Sequence, residues 1–281
     1  MTELAAPRDR GIAIVAALWA SAILAVIVVS VLQLVRADAK LGRGRADVAE
    51  LGAIADAAVN ITVLALLNPK PAQWPVNGAP VNVPFAGHDV QVSVQDEAGK
   101  IDLNTTGGPI LRQLMIGAGL DAEAARGLAE GIVGWRESDE RKRAGTGSSD
   151  VSGAGHGPRH ALFQSVEELQ LVPGMTRELY RRIAPLLTVY SQAPWIDPAV
   201  SSLAVLTVLS AVDNSAETEL RRLEEERLGV RPPAASPGVV LGHAYTITAE
   251  LQGAAAARVV RTAIVRVTGQ PRAPLLIYRW S

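Results

Sequence analysis

Residues 10–35 read RGIAIVAALWASAILAVIVVSVLQLV. From Ile12 to Val35, 24 consecutive residues carry no charge, and Ser21, Ser30 and Gln33 are the only polar interruptions. As a helix the run is about 36 Å long, enough to cross a bilayer hydrocarbon core. A cleaved secretory signal is the first alternative. It would have an apolar core of roughly 7–15 residues with a small-x-small site behind it. Ala37-Asp38-Ala39 supplies such a site, but the core is far too long. A core helix of a large soluble protein is the second. Length and near-terminal position favour a retained membrane helix. Just ahead of the run, Gly11 follows Arg10. A small residue after a basic one is where a processing enzyme on the cytoplasmic face can cut and leave the whole helix attached.

Charge does not settle the orientation of that helix simply. Arg8 and Arg10 lie upstream, offset by Glu3 and Asp9, while Arg36, Lys40, Arg43 and Arg45 lie downstream. A plain positive-inside count puts the short tail outside.

The chain has 281 residues, and the portion beyond Val35 suffices for one large domain or two small ones. The formal net charge of −1 draws the chain as a whole to no polyanion. There are no cysteines, which excludes disulfides and thiolate metal sites. Aromatics are 4%, so Ala, Val, Leu and Ile must build the core.

Working outward, the helix is expected to continue past the membrane. No proline occurs between Gly11 and Asn68, and Leu51, Ile54, Ala58, Ile61 and Ala65 recur as one apolar stripe. Gly42, Gly44 and Gly52 weaken it, and Asn68-Pro69 ends it. Residues 69–89 read as loop or short edge strand. Val90, Val92 and Val94 then alternate with polar residues, as in a half-buried strand, and Asp96-Glu97-Ala98-Gly99-Lys100 supplies turn chemistry.

From about 103 the pattern turns helical. Asp121 caps a helix through Ala124, Leu128, Ile132 and Trp135. Ser165-Val166-Glu167-Glu168 has the form of a capping box. After the turn Pro173-Gly174, Thr176 caps a helix carrying Leu179, Ile183, Leu186 and Leu187, and Asp197-Pro198 starts another. Residues 217–227 read as a solvated helix with Glu217 four before Arg221. The end returns to strands: Tyr245, Ile247, Ala249 and Leu251 alternate with polar residues, and 258–267 and 275–280 are Val/Ile-rich. Strand material thus flanks a helical block, and a sheet domain with a helical insertion is the simplest topology.

The sequence has no Gly-x-Ser-x-Gly elbow, no phosphate-cradling Gly-Lys-Ser/Thr loop and no His-Glu-x-x-His. His156 and His160 are four apart, but Gly157-Pro158 between them keeps them off a shared helix face. The Gly/Ser loop 136–157 places Glu137, Asp139 and Asp150 where carboxylates on a flexible loop can wrap calcium, against the basic run Arg141-Lys142-Arg143. Residues 166–187 have a helix-hairpin-helix pattern turning at Pro173 and Gly174. Such turns offer backbone N–H groups to a DNA phosphate. Thr176 stands where the DNA-binding version has a second glycine. The basic surplus of one over 156–191 is too small for strong phosphate affinity, which favours a packing module.

Together these pieces resemble the K component of the bacterial type II secretion system, the large minor pseudopilin (general secretion pathway protein K). Arg10-Gly11-Ile12-Ala13-Ile14-Val15 with Leu18-Trp19 is similar to the family's processed N-terminus. Asp96-Glu97-Ala98-Gly99-Lys100-Ile101-Asp102-Leu103-Asn104 is similar to its lead into the helical domain. Phe163 to Tyr190, FQSVEELQLVPGMTRELYRRIAPLLTVY, is the most specific piece.

The resemblance implies an α+β pseudopilin fold, with a long N-terminal transmembrane helix, an antiparallel sheet and an inserted all-α domain containing the helix-hairpin-helix-like module. The expected organisation is a leader over 1–11, a transmembrane helix over 12–35, an amphipathic stem over 36–68, a sheet domain from 69–102 and 240–281, and the α-helical insertion over 103–239. Prepilin peptidase would cut after Gly11 and leave an N-methylated Ile12. The chain would be anchored in the inner membrane, its bulk in the periplasm, against the plain charge count. Its expected role is non-enzymatic: to cap or initiate the pseudopilus with the I and J minor pseudopilins, beside the H component, the major pseudopilin and the inner-membrane assembly platform. No cofactor is required by that role, and calcium at Glu137, Asp139 and Asp150 would be an addition. The alternative is a membrane-anchored helix-hairpin-helix protein of DNA uptake.

Three departures stand out. Most pilin-like proteins have Glu at the fifth mature position, which here is Ala16. A carboxylate among lipid tails is costly unless it meets a cation. A tip subunit has no subunit ahead to supply one, so Ala16 fits a tip. The family's usual Trp-x-Asp-x-Asp is Trp135-Arg136-Glu137-Ser138-Asp139 here, followed by the Gly/Ser loop, which weakens any carried-over calcium site. Its frequent Asn-x-Asn-Thr-Ala is replaced by Trp195-Ile196-Asp197-Pro198-Ala199.

Overall fold

A computed structural model describes residues 10–68, 74–137, 161–211, 214–228, 238–253 and 258–281. Residues 1–9 of the expected leader, Asp139, Asp150, His156 and His160 lie outside the described residues. The chain divides into two compact units, residues 1–53 with 252–259, and residues 54–251 with 260–281.

Helix α1 (Arg10–Leu66) runs for 57 residues, through Gly42 and Gly44. In the first unit its side chains from Ile14 to Val35 are all exposed. Ser21 Oγ donates to the Leu18 carbonyl at 2.9 Å and Ser30 Oγ to the Val26 carbonyl at 2.8 Å. Both hydroxyls are thus satisfied inside the helix, as an apolar surrounding requires. Ile14–Arg36 is long and apolar enough to cross a membrane, with none of it buried. The next stretch, Gly44–Leu66, passes the same test of length and composition while 44% of it is buried.

In the second unit the last turns of α1 bury Ile54, Ala55, Ala58, Val59, Val63 and Leu66. Ile61, expected on this stripe, is 40% exposed, and Ala65 is half-buried. The buried face is centred between Ala55 and Val59, and a residue two further on along a 3.6-residue turn falls off its edge. Thr62 takes the buried place and donates its hydroxyl to the Ala58 carbonyl at 2.8 Å. Asp56 accepts from Trp280 Nε1 at 3.1 Å and pairs with Arg261, tying this segment to the C-terminal strands.

The main sheet has five strands in the order β1 (Asn77–Phe85), β2 (His88–Asp96), β5 (Ala244–Gln252), β6 (Arg258–Gln270) and β7 (Ala273–Trp280). β1 and β2 form a hairpin turning at Ala86 and Gly87, both at positive φ, as a two-residue hairpin turn demands. β2 and β5 pair antiparallel with Val92 opposite Ala249 and Val94 opposite Ile247, all four fully buried. The Val alternation seen in sequence is therefore the core face of the sheet.

Between β2 and β5 the chain builds helices: α2 (Gly108–Gly117), α3 (Ala122–Arg136), α4 (Arg177–Ile183), α5 (Leu203–Leu209) and α6 (Asn214–Arg227). A short parallel pair joins the start of this block to a later part, β3 (Ile101–Asp102) beside β4 (Leu187–Thr188). Leu111, Leu114, Met115, Ile132, Leu169, Ile183 and Leu206 form its core, each at most 1% exposed. Trp135 stacks on Phe163 at 6.4 Å between ring centroids.

Asp121 caps α3 by accepting from Glu123 and Ala124 N–H, and Thr176 caps α4 by accepting from Leu179 N–H at 3.2 Å. Several local expectations are corrected. Ala125, not Ala124, faces the core. Ser165 makes no side-chain cap, and Val166–Leu171 is a 3-10 helix. Glu168 accepts instead from Gln164 N–H at 3.3 Å, one residue earlier than a capping box needs. Leu187 lies in β4, because a 3-10 turn at Ala184–Leu186 comes after α4. Asp197 caps one 3-10 turn, Pro198–Val200, and the helix after it, α5, is capped by Ser202. In α6, Ala216 is fully buried and Leu220 and Leu223 pack on the core, so this helix has an apolar face beside its Glu217–Arg221 pair at 2.5 Å.

Candidate functional site

The residues singled out in sequence occupy separate places. Gly11 and Ile12 lie in the first turn of α1, and Ala16 is exposed one turn on. Pro173 and Gly174 form the turn before α4, with Gly174 at φ +88°, a conformation only glycine adopts cheaply. A Cβ there would sit 3.7 Å from Leu128 of α3, so the turn packs against the block. Glu137 comes directly after α3 and its N–H donates to the Val133 carbonyl at 3.2 Å. It lines an open groove of about 590 Å³ between α2 and α3, together with Glu130, Arg112 and Arg126. Among the described residues no three His, Asp or Glu side chains are grouped to hold a metal ion.

The polar cluster that the fold does assemble was read in sequence only as turn chemistry. Asp96, Glu97 and Asp102 are each 1% exposed. A buried carboxylate is costly unless donors surround it, and each of these has its own set. Asp96 Oδ1 accepts from Ala98 N–H at 2.9 Å, and Oδ2 lies 2.8 Å from His243 Nδ1. Burial pushes the Asp96 carboxyl above its ordinary value, with His243 and the Ala98 N–H acting in the opposite direction. Glu97 pairs with Lys100 at 2.7 Å and accepts from the Thr246 hydroxyl at 2.7 Å and from the Thr188 hydroxyl. Asp102 accepts from Asn104 N–H at 2.7 Å, Ser191 Oγ at 2.9 Å and Gln192 N–H at 3.0 Å.

Neighbouring groups extend the network. Tyr245 is buried in β5, takes a hydrogen bond from Val240 N–H at 2.7 Å and donates to the Val240 carbonyl at 3.1 Å. Burial first, and the Asp96 charge second, push its phenol well above the usual range. Asn104 bonds the Phe163 backbone twice, at 2.7 and 2.9 Å. Arg136 donates to the Leu103 and Thr106 carbonyls at 2.5 and 2.7 Å.

Every carboxylate in this cluster has partners inside the chain, so the cluster acts as a clasp between segments. It joins the end of β2 to β4, β5 and the loop after β4. The segment 96–104, one of the three pieces that carry the resemblance, is thus the hub of that clasp.

Residues 91–192 match the family model described as type II secretion system, protein K. The chain carries a protein K domain. That domain runs from β2 to Gln192, and both Asp102 partners beyond β4, Ser191 and Gln192, are its last residues. The fold is similar to that of a chain in the crystal structure of the GspK-GspI-GspJ complex of the type 2 secretion system of enterotoxigenic Escherichia coli. The TM-score is 0.51 at 14% identity, covering 87% of this chain and 98% of that one. No curated protein matches the chain. The protein K domain holds all three clasp carboxylates, whereas His243, Tyr245 and Thr246 come from outside the matched residues.

Proposed function

We propose that this chain is a non-enzymatic minor pseudopilin that caps or initiates the periplasmic pseudopilus of a type II secretion system. The observation that carries this reading is the union, in one chain, of a protein K domain with a helix whose stretch Ile14–Val35 is uncharged, almost entirely apolar and exposed throughout. An exposed run of that kind needs lipid or other apolar helices around it. In this reading prepilin peptidase removes residues 1–11 and methylates Ile12. The stem then anchors the subunit in the inner membrane before assembly and packs against neighbouring stems after it. The partners are the I and J minor pseudopilins, in keeping with the complex whose fold this chain shares. Ala16 supports the tip position, since a stem without a carboxylate there cannot neutralise the amine of a subunit ahead.

The mass of the mature N-terminus, recovered from membranes of the native host, tests the reading. The expected species begins at Ile12 and carries one added methyl group. A Gly11→Asp chain is expected to stay uncut and to abolish secretion. A chain that remains full length while secretion proceeds would overturn it.

A further inference from the structure

The two edges of the main sheet are built differently. β1 carries Pro80 and Pro84, which lack the N–H an incoming strand would need, and its register slips between Asn77 and Pro80. These are the usual devices that keep an edge from pairing. β7 has no proline after Pro274, and it exposes Leu276, Ile277, Tyr278 and Trp280 by 40–57% each. Ser281 and Thr262 exchange both backbone hydrogen bonds, at 2.8 and 2.9 Å. By antiparallel alternation the adjacent Trp280 turns its N–H and carbonyl away from β6, where no strand lies among the described residues.

Charge adds a second observation. From Leu251 to Ser281 the chain has five arginines and no Asp or Glu. Arg261 is held by Asp56, and Arg266 by the Tyr190 carbonyl and the Tyr278 ring. Arg272, at the β6–β7 turn, is exposed, and Arg279 pairs with Glu167 while still half exposed. An apolar edge flanked by guanidinium groups suits an extended segment that is apolar and acidic.

We propose that β7 accepts such a strand from a neighbouring minor pseudopilin, whose carboxylates meet Arg272 and Arg279. This rests on the minor-pseudopilin reading above. The test takes the full-length chain in detergent, with and without the I and J minor pseudopilins of the same secretion system, and tracks amide exchange peptide by peptide. Peptides covering 274–281 are expected to slow by about tenfold or more on complex formation. Ile277→Lys, at an exposed site, is expected to leave unfolding unchanged and to weaken the complex by about tenfold. A complex that forms while β7 exchanges as before, or an Ile277→Lys chain that binds normally, overturns the strand-addition site and leaves the pseudopilin reading standing. Slowing in the chain alone at raised concentration assigns the edge to a second copy and also overturns it. Failure of any complex to form overturns both.

Discussion

The stem of α1 and the clasp at Asp96–Asn104 invert the same rule in opposite directions. Between Ile14 and Val35 nearly every side chain is apolar and every one is exposed. In the clasp, three carboxylates are almost wholly hidden. The stem is stable only if its surroundings are not water. The clasp is stable because its surroundings supply donors in place of water. Exposure by itself therefore says little about the stability of either region. What matters is whether each polar group has a partner and each apolar group an apolar neighbour, supplied from inside the chain in one case and from outside in the other.

The largest expected effect strikes the clasp. Asp102→Ala leaves Asn104 N–H, Ser191 Oγ and Gln192 N–H without their acceptor, a loss of about 3–5 kcal/mol, since these part-buried donors fall toward the low end of the roughly 1–3 kcal/mol that each unsatisfied buried donor costs. Urea unfolding measures it, and a loss under about 1 kcal/mol would break the comparison. Next, Val26→Arg in the stem is expected to cost about 2.5–3.5 kcal/mol of membrane insertion. It should reduce recovery in alkali-washed membranes without moving the urea midpoint of the second unit. Equal damage to both would mean that the stem, too, is stabilised from within. Thr246→Val removes one of the donors to Glu97 and is expected to cost about 1 kcal/mol by the same unfolding assay.

The smallest effect is one of slope. Asp96 has a folded pKa raised above the ordinary aspartate value of 3.8. The folded state then holds its proton to higher pH than the unfolded state, so this residue's contribution to stability falls as pH rises from that value through the raised one. In Asp96→Asn that fall is absent. The difference in melting temperature between the two chains should therefore shift steadily in favour of the variant across this window, and a constant difference would contradict it.

Much of the framework was legible because it depends on local patterns. The Val90–Val92–Val94 alternation is β2, the Tyr245–Leu251 alternation is β5, and Asp121 and Thr176 cap as their sequences suggest. Where reading failed, geometry at longer range decided. Ser165-x-x-Glu168 has the right letters, but the segment after Ser165 tightens into a 3-10 turn that puts Gln164 N–H before Glu168 instead. Ile61 and Ala58 look equivalent in a list of apolar residues, yet Ala58 is buried and Ile61 is 40% exposed. The clasp was the least legible part. Asp96-Glu97-Ala98-Gly99-Lys100 is written like any surface turn, and the donors that bury it sit at Thr188, Thr246 and His243, the last of them 147 positions from Asp96.

The parallel pairing of β3 with β4 carries a consequence for how such a chain can change over time. The chain goes into helices α2 to α4 along Ile101–Asp102 and comes back along Leu187–Thr188 in the same direction, hydrogen-bonded side by side, before it runs on through α5 and α6. Measured at that neck, everything in between amounts to a sideways step of one strand spacing, about 4.8 Å. Loops inside the block can lengthen, shorten or be rewritten, and the register between β2 and β5 has nothing to absorb. The sheet thus keeps its address whatever length of chain lies between the two sides of the neck.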